Sequence, residues 1–501
     1  MGHPALLAQA VTPPTEIYDI CRPDARGRGG LITGGNALNA VGRNLAVVGV
    51  VGLLALTGCS RSSNATTARK ATTPTSGAAD FGTMKNVCGK ATGTNKASAR
   101  GVTATAINVG AISDAGFVGS PGLDQELWDA SDVFTRWCNA QGGINGRLIK
   151  DQHLDAALTQ FKQEVLVGCQ NDFALVGGGA VFDDTGQQAR LGCLLPNFPA
   201  FVTSGEARGS SLQYQQLPAE RNFINVGAEL WMNQKFPGSG NKVEYLAPNV
   251  ASVINTMNQV EEASRHNGWK TLAKVQYPAA GQVTWIPIAQ KLKTEGATGV
   301  VWLGEPQNLA KLEAAMVAID YKPAWVYAYG GNIYDKAFLR SAKTQMVPTY
   351  VPLQVYPFEL ADKNAAGSEA MKQYLALFQK YLPNGKARTL LGVESFSEWL
   401  LFAKAAKACG ADLTTRCLYD KMQTITTFDG GGLTAPSNPA GHQTSRCYDL
   451  VQATPNGFVV QDVNANSTVY QCAAANVVRL KGYYGSGVHL GDVGKTLADV
   501  K

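Results

Sequence analysis

The ten cysteines are the residues of this chain with the most distinctive chemistry. A thiol can carry a lipid, bind a metal or form a disulfide, and the spacing of the cysteines helps to separate these uses. The sequence has no CxxC pair and its five histidines are scattered, which does not favour a metal site. We therefore expect no metal, and we assign the cysteines to lipid attachment and to disulfides.

Cys59 follows a short apolar run, Leu45–Leu56, which Arg43 precedes. The run is too short to cross a bilayer, which takes about 20 residues, but it fits the apolar region of a secretory signal. Leu56-Thr57-Gly58-Cys59 resembles the lipobox of bacterial lipoproteins. That resemblance implies a signal segment over 1–58, whose true start we expect downstream of Met1, and a lipid on Cys59. The alternative is an ordinary buried helix that ends at Cys59.

The eight cysteines that remain after Cys21 and Cys59 form an even set in an exported chain, which is typical of disulfides. Pairing between sequence neighbours is the connectivity that we favour. It gives Cys169–Cys193, Cys409–Cys417 and Cys447–Cys472, and it leaves Cys88–Cys138. Eight cysteines allow roughly a hundred connectivities, so other pairings stay open at this point.

Motifs for catalysis are incomplete in this sequence. Gly487–Thr496 ends in Gly-Lys-Thr, but His489 stands where a phosphate-binding loop needs its first glycine. No Gly-x-Ser-x-Gly segment is present, and His153 and His266 are most simply surface residues. We therefore predict no catalytic residue, no cofactor and no enzyme.

The net charge of +6 is distributed unevenly along the chain. Residues 1–59 carry +1 and residues 60–100 carry +6, which leaves −1 for the remainder. Residues 60–100 are rich in Ser, Thr, Ala, Gly and Lys, a composition typical of an unfolded segment. We predict a flexible basic tether over 59–100, and no nucleic-acid partner because the basic charge does not belong to the folded part.

From residue 105 onward, short apolar strands alternate with helical patterns, which indicates parallel sheets covered by helices. The first set has strands at Ile107–Ile112, Arg147–Lys150, Phe173–Val176 and Ala200–Thr203, with helices at Leu123–Gln141, Thr159–Asn171 and Asp184–Leu191. The second set has strands at Val243–Ala247, Leu272–Tyr277, Gly299–Leu303 and Ala324–Ala328, with helices at Val253–Asn267, Ile286–Glu295 and Gln307–Asp320. The later segments Tyr350–Pro357, Ser368–Tyr381, Ser395–Cys409 and Tyr448–Gln452 complete both sets.

These patterns predict an α/β protein with two doubly wound parallel-sheet lobes joined by a hinge. We assign residues 101–235 and 350–440 to lobe 1, and residues 236–349 and 441–475 to lobe 2. Residues 476–501 remain as a C-terminal tail.

Two segments carry a family resemblance. Ile107–Asp114 reads INVGAISD and Trp137–Arg147 reads WCNAQGGINGR. Gly142-Gly143 would end a helix, and Asn145-Gly146 would form the tight turn into the next strand. Together these segments resemble the start of branched-chain amino-acid-type substrate-binding proteins of ABC transporters, which have a type I periplasmic-binding fold. The resemblance covers about residues 105–475 and implies two lobes that close on a small solute.

The resemblance places ligand contacts in loops at the strand ends of the first lobe. After the first strand comes Phe117, after the third come Gly179, Ala180 and Phe182, and after the fourth come Thr203 and Ser204. In the family such loops offer N–H and hydroxyl groups to an anionic end of the ligand. The alternative for the glycines is tight turning, and the alternative for Asp183 is a helix cap.

The second lobe departs from the amino-acid-binding pattern. Asn249 follows its first strand where the family often has Tyr-Gly, and the segment around Tyr329 has no acid to pair with a ligand ammonium. Glu305 could take that role, although a helix-cap role is the stronger alternative. We expect Asn249, Glu305 and Tyr329 to contact a neutral or anionic, partly apolar solute.

The resemblance and the lipobox together predict an extracytoplasmic, lipid-anchored binding protein at the cell membrane. It would deliver an amino acid, an amide or another small, partly apolar solute to an ABC permease. The alternative is a lipid-anchored sensor or scaffold that uses the same two lobes without transport.

Overall fold

A computed structural model describes residues 77–363, 367–464 and 469–501. The first α/β set comprises β1 (Ala106–Ser113), α1 (Gln125–Ala140), β2 (Leu148–Asp155), α2 (Phe161–Asn171), β3 (Ala174–Val176), α3 (Gln187–Gly192), β4 (Asn197–Phe198), β5 (Phe223–Asn225) and α4 (Gly227–Lys235). Strands β2, β1, β3 and β4 form a parallel sheet in that order. β1 is buried at nearly every position, as expected for a strand with helices on its faces.

The second set forms a larger sheet. It comprises β6 (Val243–Pro248), α5 (Ala251–His266), β7 (Thr271–Tyr277), α6 (Ile286–Glu295), β8 (Gly299–Trp302), α7 (Pro306–Ala318), β9 (Trp325–Ala328), α8 (Lys336–Ala342) and β10 (Thr349–Leu353). These strands are parallel and are ordered β7, β6, β8, β9, β10.

The last third of the chain returns to both lobes. It comprises α9 (Ser368–Tyr381), α10 (Leu390–Ala408), α11 (Thr415–Met422), β11 (Cys447–Thr454), β12 (Gly457–Val460), β13 (Gln471–Cys472) and β14 (Val477–Arg479). Helices α9 and α10 pack on α1 of the first lobe, whereas β11 extends the second sheet antiparallel to β10. The predicted α/β architecture with two main sheets is confirmed, with an antiparallel edge on the second sheet, and β5 pairs with β14 in a separate two-stranded sheet.

Two segments lie in a different lobe from the one that we assigned to them. We placed residues 350–440 in lobe 1, and α9 and α10 pack there, but residues 350–353 of β10 belong to the second sheet, where β10 pairs with β9. We also placed residues up to 235 in lobe 1, but Ala228 and Met232 of α4 belong to the apolar core of the second sheet. Strand pairing and core packing decide these placements, and neither is visible in the local sequence pattern.

The fourth strand also differs from the prediction. We expected it at Ala200–Thr203, but the strand is Asn197–Phe198, which pairs with β3. Residues 200–203 lie beyond its end and line the space between the lobes. The apolar run extends across both segments, so local hydrophobicity does not separate the strand from the loop that follows it.

Residues 77–100, which we predicted to belong to the tether, pack on the first lobe. Phe81 is fully buried, and its ring lies 5.0 Å from that of Phe396 and 6.0 Å from that of Trp137. Val87 is also buried, and Cys88 is bonded to Cys138. One aromatic side chain and one disulfide thus hold a segment whose average composition is typical of an unfolded chain. Cys59 and the signal segment lie outside the described residues.

The structure contains all four predicted disulfides: Cys88–Cys138, Cys169–Cys193, Cys409–Cys417 and Cys447–Cys472. Cys169–Cys193 joins α2 to the end of α3 beside the first sheet. Cys447–Cys472 joins β11 to β13, where the two cysteines are register partners. Such pairs are typical of proteins that mature in an oxidising compartment.

The turn predicted between α1 and β2 is present. The backbone of Gly142, Gly143, Asn145 and Gly146 has positive φ, which explains the glycines and the asparagine there. The following Arg147 is buried, and it donates hydrogen bonds to the carbonyl oxygens of four residues. The acceptors are Thr103, Gly410, Lys96 and Ala411. Arg147 therefore connects the N-terminal segment, β2 and the end of α10.

The C-terminal tail contacts both lobes. The Glu262 carboxylate on α5 accepts hydrogen bonds from the Tyr484 hydroxyl and from backbone N–H groups near it. Farther along, Val488 packs in an apolar cluster with Leu191 and Leu212 of the first lobe. Within the described residues, no helix is both long enough and apolar enough to span a membrane.

Candidate ligand-binding cleft

A cavity of about 740 Å³ lies between the two sheets. Its walls come from the loops that follow β1, β4, β6, β8 and β9, together with the start of α10. These loops stand at the carboxyl ends of parallel strands, where ligands bind in open α/β sheets. The volume falls in the range of clefts that enclose small molecules, roughly 300–1,000 Å³.

Four of the predicted contact residues line this cavity: Phe117, Thr203, Glu305 and Tyr329. Thr203 is held in place, because its hydroxyl lies 2.7 Å from the Val181 carbonyl oxygen and 2.9 Å from a carboxylate oxygen of Asp183. Tyr329 packs at the edge of the second core, with its ring 6.0 Å from that of Tyr327. The structure thus brings together contacts from both lobes.

The other five predicted residues do not line this cavity. Gly179 and Ala180 are buried behind it, and a side chain at Gly179 would collide with Phe201. Ser204 is buried and caps its own loop by accepting a hydrogen bond from the Ala207 N–H. The remaining two, Phe182 and Asn249, also lie off the lining, and Asn249 braces the next loop by accepting from the Ala279 N–H.

Two buried carboxylates hold the loops of the first lobe in position. Asp114, at the end of β1, accepts hydrogen bonds from the N–H groups of Leu158 and Val181. Asp183 accepts from the N–H groups of Thr203 and Ser204. Asp183 was considered as a helix cap, but it instead ties the loop after β3 to the loop after β4. The strand ends are therefore fixed before any ligand arrives.

Carboxyl groups on the cavity wall have raised pKa values. Burial, with a smaller effect from Glu126 and Asp114, raises the pKa of Glu305 to about 7. Burial alone raises the pKa of Glu394 to about 8. Glu305 stands at the N-cap of α7, but its side chain makes no capping hydrogen bond. At neutral pH Glu394 is therefore mainly protonated and Glu305 is about half protonated.

Arg208 also lines the cavity, although the sequence did not predict it as a contact residue. It belongs to the irregular loop after β4 and is 8% exposed. Its guanidinium donates to Gln259 and Thr256 of α5, which belongs to the second lobe. No motif marks this position, because the partners that orient the side chain lie about fifty residues downstream.

The cavity lining contains neither histidine nor cysteine among the described residues. It therefore offers no imidazole base beside a nucleophile. A cluster with metal-ligand chemistry occurs elsewhere: Asp132, Asp151 and His153 converge at the β2 edge of the first sheet. There Arg136 pairs with Asp132, and the cluster is separate from the cavity.

The raised pKa of Glu394 predicts a pH-dependent stability. A carboxyl whose folded-state pKa is raised contributes stability that is fully present below its unfolded pKa and is lost as the pH rises through the folded value. For Glu394 that window runs from its ordinary 4.5 to about 8. Glutamine does not titrate, so Glu394→Gln does not lose this stability. We expect its free energy of unfolding, measured relative to that of the wild type, to be about 1–3 kcal/mol higher near pH 8.5 than near pH 5. Urea unfolding of both proteins at the two pH values measures this difference. A difference between variant and wild type that is the same at both pH values would contradict the prediction.

The cavity and its surrounding fold can be compared with known proteins. A family profile described as Periplasmic binding protein matches residues 106–457. No curated protein matches the chain. Among solved structures, a fatty acid ABC transporter substrate-binding protein from Thermomonospora curvata is similar over 80% of this chain and 99% of its own, with 16% identity and a TM-score of 0.62.

Two further solved structures show the same fold. A possible leucine/isoleucine/valine-binding protein from Rhodopirellula baltica covers 73% of this chain and 98% of its own, with 14% identity and a TM-score of 0.59. A branched chain amino acid ABC transporter protein from Thermus thermophilus with bound valine is similar over 74% of this chain and 97% of its own, with 15% identity and a TM-score of 0.55. At these identities the likeness concerns the fold.

Proposed function

Because this chain belongs to the periplasmic binding protein family, we propose that it captures a small molecule between its two lobes and delivers it to an ABC-type permease. The observation that carries the proposal is the cavity of about 740 Å³, whose walls come from both lobes. A ligand that contacts both lobes favours their closed arrangement, because it binds that arrangement better than the open one. The solute-binding proteins with similar folds support the same role.

The proposal includes a lipid anchor on the extracytoplasmic face of the membrane. Its support is the sequence Leu56–Cys59 after an apolar run, together with four disulfides in the folded part. A lipid anchor would keep the protein close to a permease without a membrane-spanning helix. A single acyl chain binds membranes weakly, so the two chains of a diacylglycerol suit a stable anchor.

Cys59→Ser provides a test of the anchor. In a bacterial host with lipoprotein processing, we expect the wild type in the membrane fraction and labelled by a palmitate analogue. The variant should lose the label, because serine has no thiol to alkylate, and should appear in the soluble fraction. Cys21→Ser is the matched control and should behave like the wild type. A Cys59→Ser protein that still carries the label would contradict the proposal.

The binding function is tested on gently purified full-length protein. Mass spectrometry of released small molecules identifies a bound solute, and a thermal-shift screen covers amino acids, amides, polyols and aromatic acids. A ligand that binds the folded state raises the melting temperature through the linkage term RT ln(1 + [L]/Kd). If no released molecule is found and no compound raises the melting temperature, capture of a solute is contradicted. Binding without uptake in a permease-containing strain would favour a sensor over a transporter.

A further inference from the structure

The guanidinium of Arg208 has unused hydrogen-bonding capacity beside the cavity. Of its five N–H groups, one on each terminal nitrogen is used, toward Gln259 and Thr256. Its Nε is shielded from solvent and has no hydrogen-bond partner among the described residues. Both of its partners are neutral. A buried arginine is normally paired with an anion, because removing its charge from water costs several kcal/mol.

Acidic groups near Arg208 do not form an ion pair with it, although Asp183 acts on its charge from a distance. Within the described parts of the chain, no carboxylate lies within ion-pair distance of its guanidinium. The nearby Asp183 already accepts hydrogen bonds from Thr203 and Ser204. The carboxyl groups of the cavity wall belong to Asp124, Glu220, Glu305 and Glu394, and burial raises the pKa of each, which reduces their negative charge. Arg208 thus has no ion-pair partner in direct contact within the described residues.

The rest of the cavity wall is mainly apolar. Its apolar residues include Phe117, Phe201, Leu217, Val250, Val253 and Leu303. At about 740 Å³ the cavity exceeds the space that one small amino acid would fill. A suitable ligand therefore has an extended apolar body and a single anionic end.

We propose that the cavity binds an amphipathic monocarboxylate, whose carboxylate pairs with Arg208 and whose apolar part lies against the surrounding wall. This inference rests on the proposed function and assigns its ligand class. The planar guanidinium matches a carboxylate through two parallel hydrogen bonds. Because Arg208 belongs to the first lobe and bonds to α5 of the second, the bound carboxylate would act at the contact between the lobes.

The first experiment compares matched ligands on the full-length wild type. Decanoate and decanamide have the same apolar chain, but only decanoate carries a charge. Titration calorimetry below the micelle concentration should give about 10–100-fold tighter binding of decanoate, as expected for hydrogen bonds to a charged group. Leucine serves as the zwitterionic comparison and should bind more weakly than decanoate. This comparison needs no variant, so it tests the preference for a carboxylate even if a substitution at Arg208 disturbs folding.

The second experiment substitutes Arg208, the residue proposed to pair with the carboxylate. Arg208→Gln should weaken decanoate binding about 10–100-fold more than decanamide binding, because the loss of the bonds to Gln259 and Thr256 affects both ligands and the loss of the charge affects only decanoate. Arg208→Lys should retain part of the preference for the acid. Arg136→Gln is the matched control: Arg136 lies on α1 outside the cavity lining and its side chain is 48% exposed, so its loss should have little effect. Circular dichroism and melting curves verify that each variant folds.

Several outcomes overturn the inference. They are equal binding of decanoate and decanamide, unchanged decanoate binding in Arg208→Gln, and failure of decanoate to bind at all. If decanoate fails while leucine or another solute binds, the ligand class is wrong but solute capture stands. If neither these ligands nor any compound of the broader screen binds, solute capture itself fails.

Discussion

Arg147→Met is expected to lower the free energy of unfolding by about 2–4 kcal/mol, because it removes the charged donor of four hydrogen bonds to part-buried carbonyl groups. In the wild type the Arg147 guanidinium bonds to the carbonyl oxygens of Thr103, Lys96, Gly410 and Ala411. Arg147 is 1% exposed, whereas the residues that carry the four oxygens are exposed or half-buried, so water can replace part of the lost donors. Methionine retains most of the apolar stem and removes only the donors.

The measurement is urea unfolding followed by fluorescence and circular dichroism, with the change in midpoint converted through a common slope. Arg136→Met is the matched control. Arg136 has an ion pair with Asp132 and one hydrogen bond to the Tyr381 carbonyl oxygen, and its side chain is 48% exposed. Exposed pairs contribute little, so a loss below about 1 kcal/mol is expected there. An Arg147→Met loss as small as that of the control would show that water replaces the guanidinium.

Arg147 also illustrates what the sequence predicts well. The segment Trp137–Arg147 and the strand Ile107–Asp114 carried the family resemblance, and the family is confirmed by a match over residues 106–457. The glycines and the asparagine of the motif adopt positive φ, as the turn requires. A motif of this kind predicts its local backbone. The carbonyl groups that Arg147 contacts near residue 410 are a tertiary property that no local pattern contains.

Elements with strong periodicity were predicted closely. Helices Ile286–Glu295 and Ser368–Tyr381 have the predicted bounds, because each has a clear start and stop in the sequence. The weakly patterned elements were less well predicted. The short helix α4 and the strand β10 were assigned to the first lobe, and only their contacts with the second sheet place them correctly.

Residues 77–100 show why average composition is an incomplete guide. Their composition is that of a tether, yet Phe81 inserts between Trp137 and Phe396 in the core of the first lobe. A single large aromatic side chain contributes a few kcal/mol when it is fully buried. Combined with the disulfide of Cys88, that is enough to fix a segment that is otherwise polar.

The binding cleft was predictable in position but only partly in composition. The rule that ligands sit beyond the carboxyl ends of strands led to Phe117, Thr203, Glu305 and Tyr329, all of which line the cavity. The same rule also selected Gly179, but the strand-end loops fold back so that this residue packs behind the wall. Lining residues from irregular loops or from distant helices carried no signal in the sequence.

Val253→Trp is expected to weaken solute binding about 10–100-fold, because overfilling a packed site typically costs 1–3 kcal/mol. Val253 lines the cavity on α5, three residues before Thr256, so the two side chains lie on the same face of the helix. Thr256 is a hydrogen-bond partner of Arg208. The added indole would therefore occupy the space beside the guanidinium where a ligand must lie.

The matched control is Val283→Trp, at a fully exposed position in the loop before α6 that does not line the cavity. Both variants add the same side chain, so any general effect of a new indole is common to both. Titration with the solute released from the purified protein should show weakened binding only in Val253→Trp, with melting temperatures close to the wild type in both. If Val253→Trp binds that solute as tightly as the control does, the solute occupies another site. A loss confined to Val253→Trp would connect binding to the inter-lobe cavity itself, because the substitution removes space there and removes no polar group.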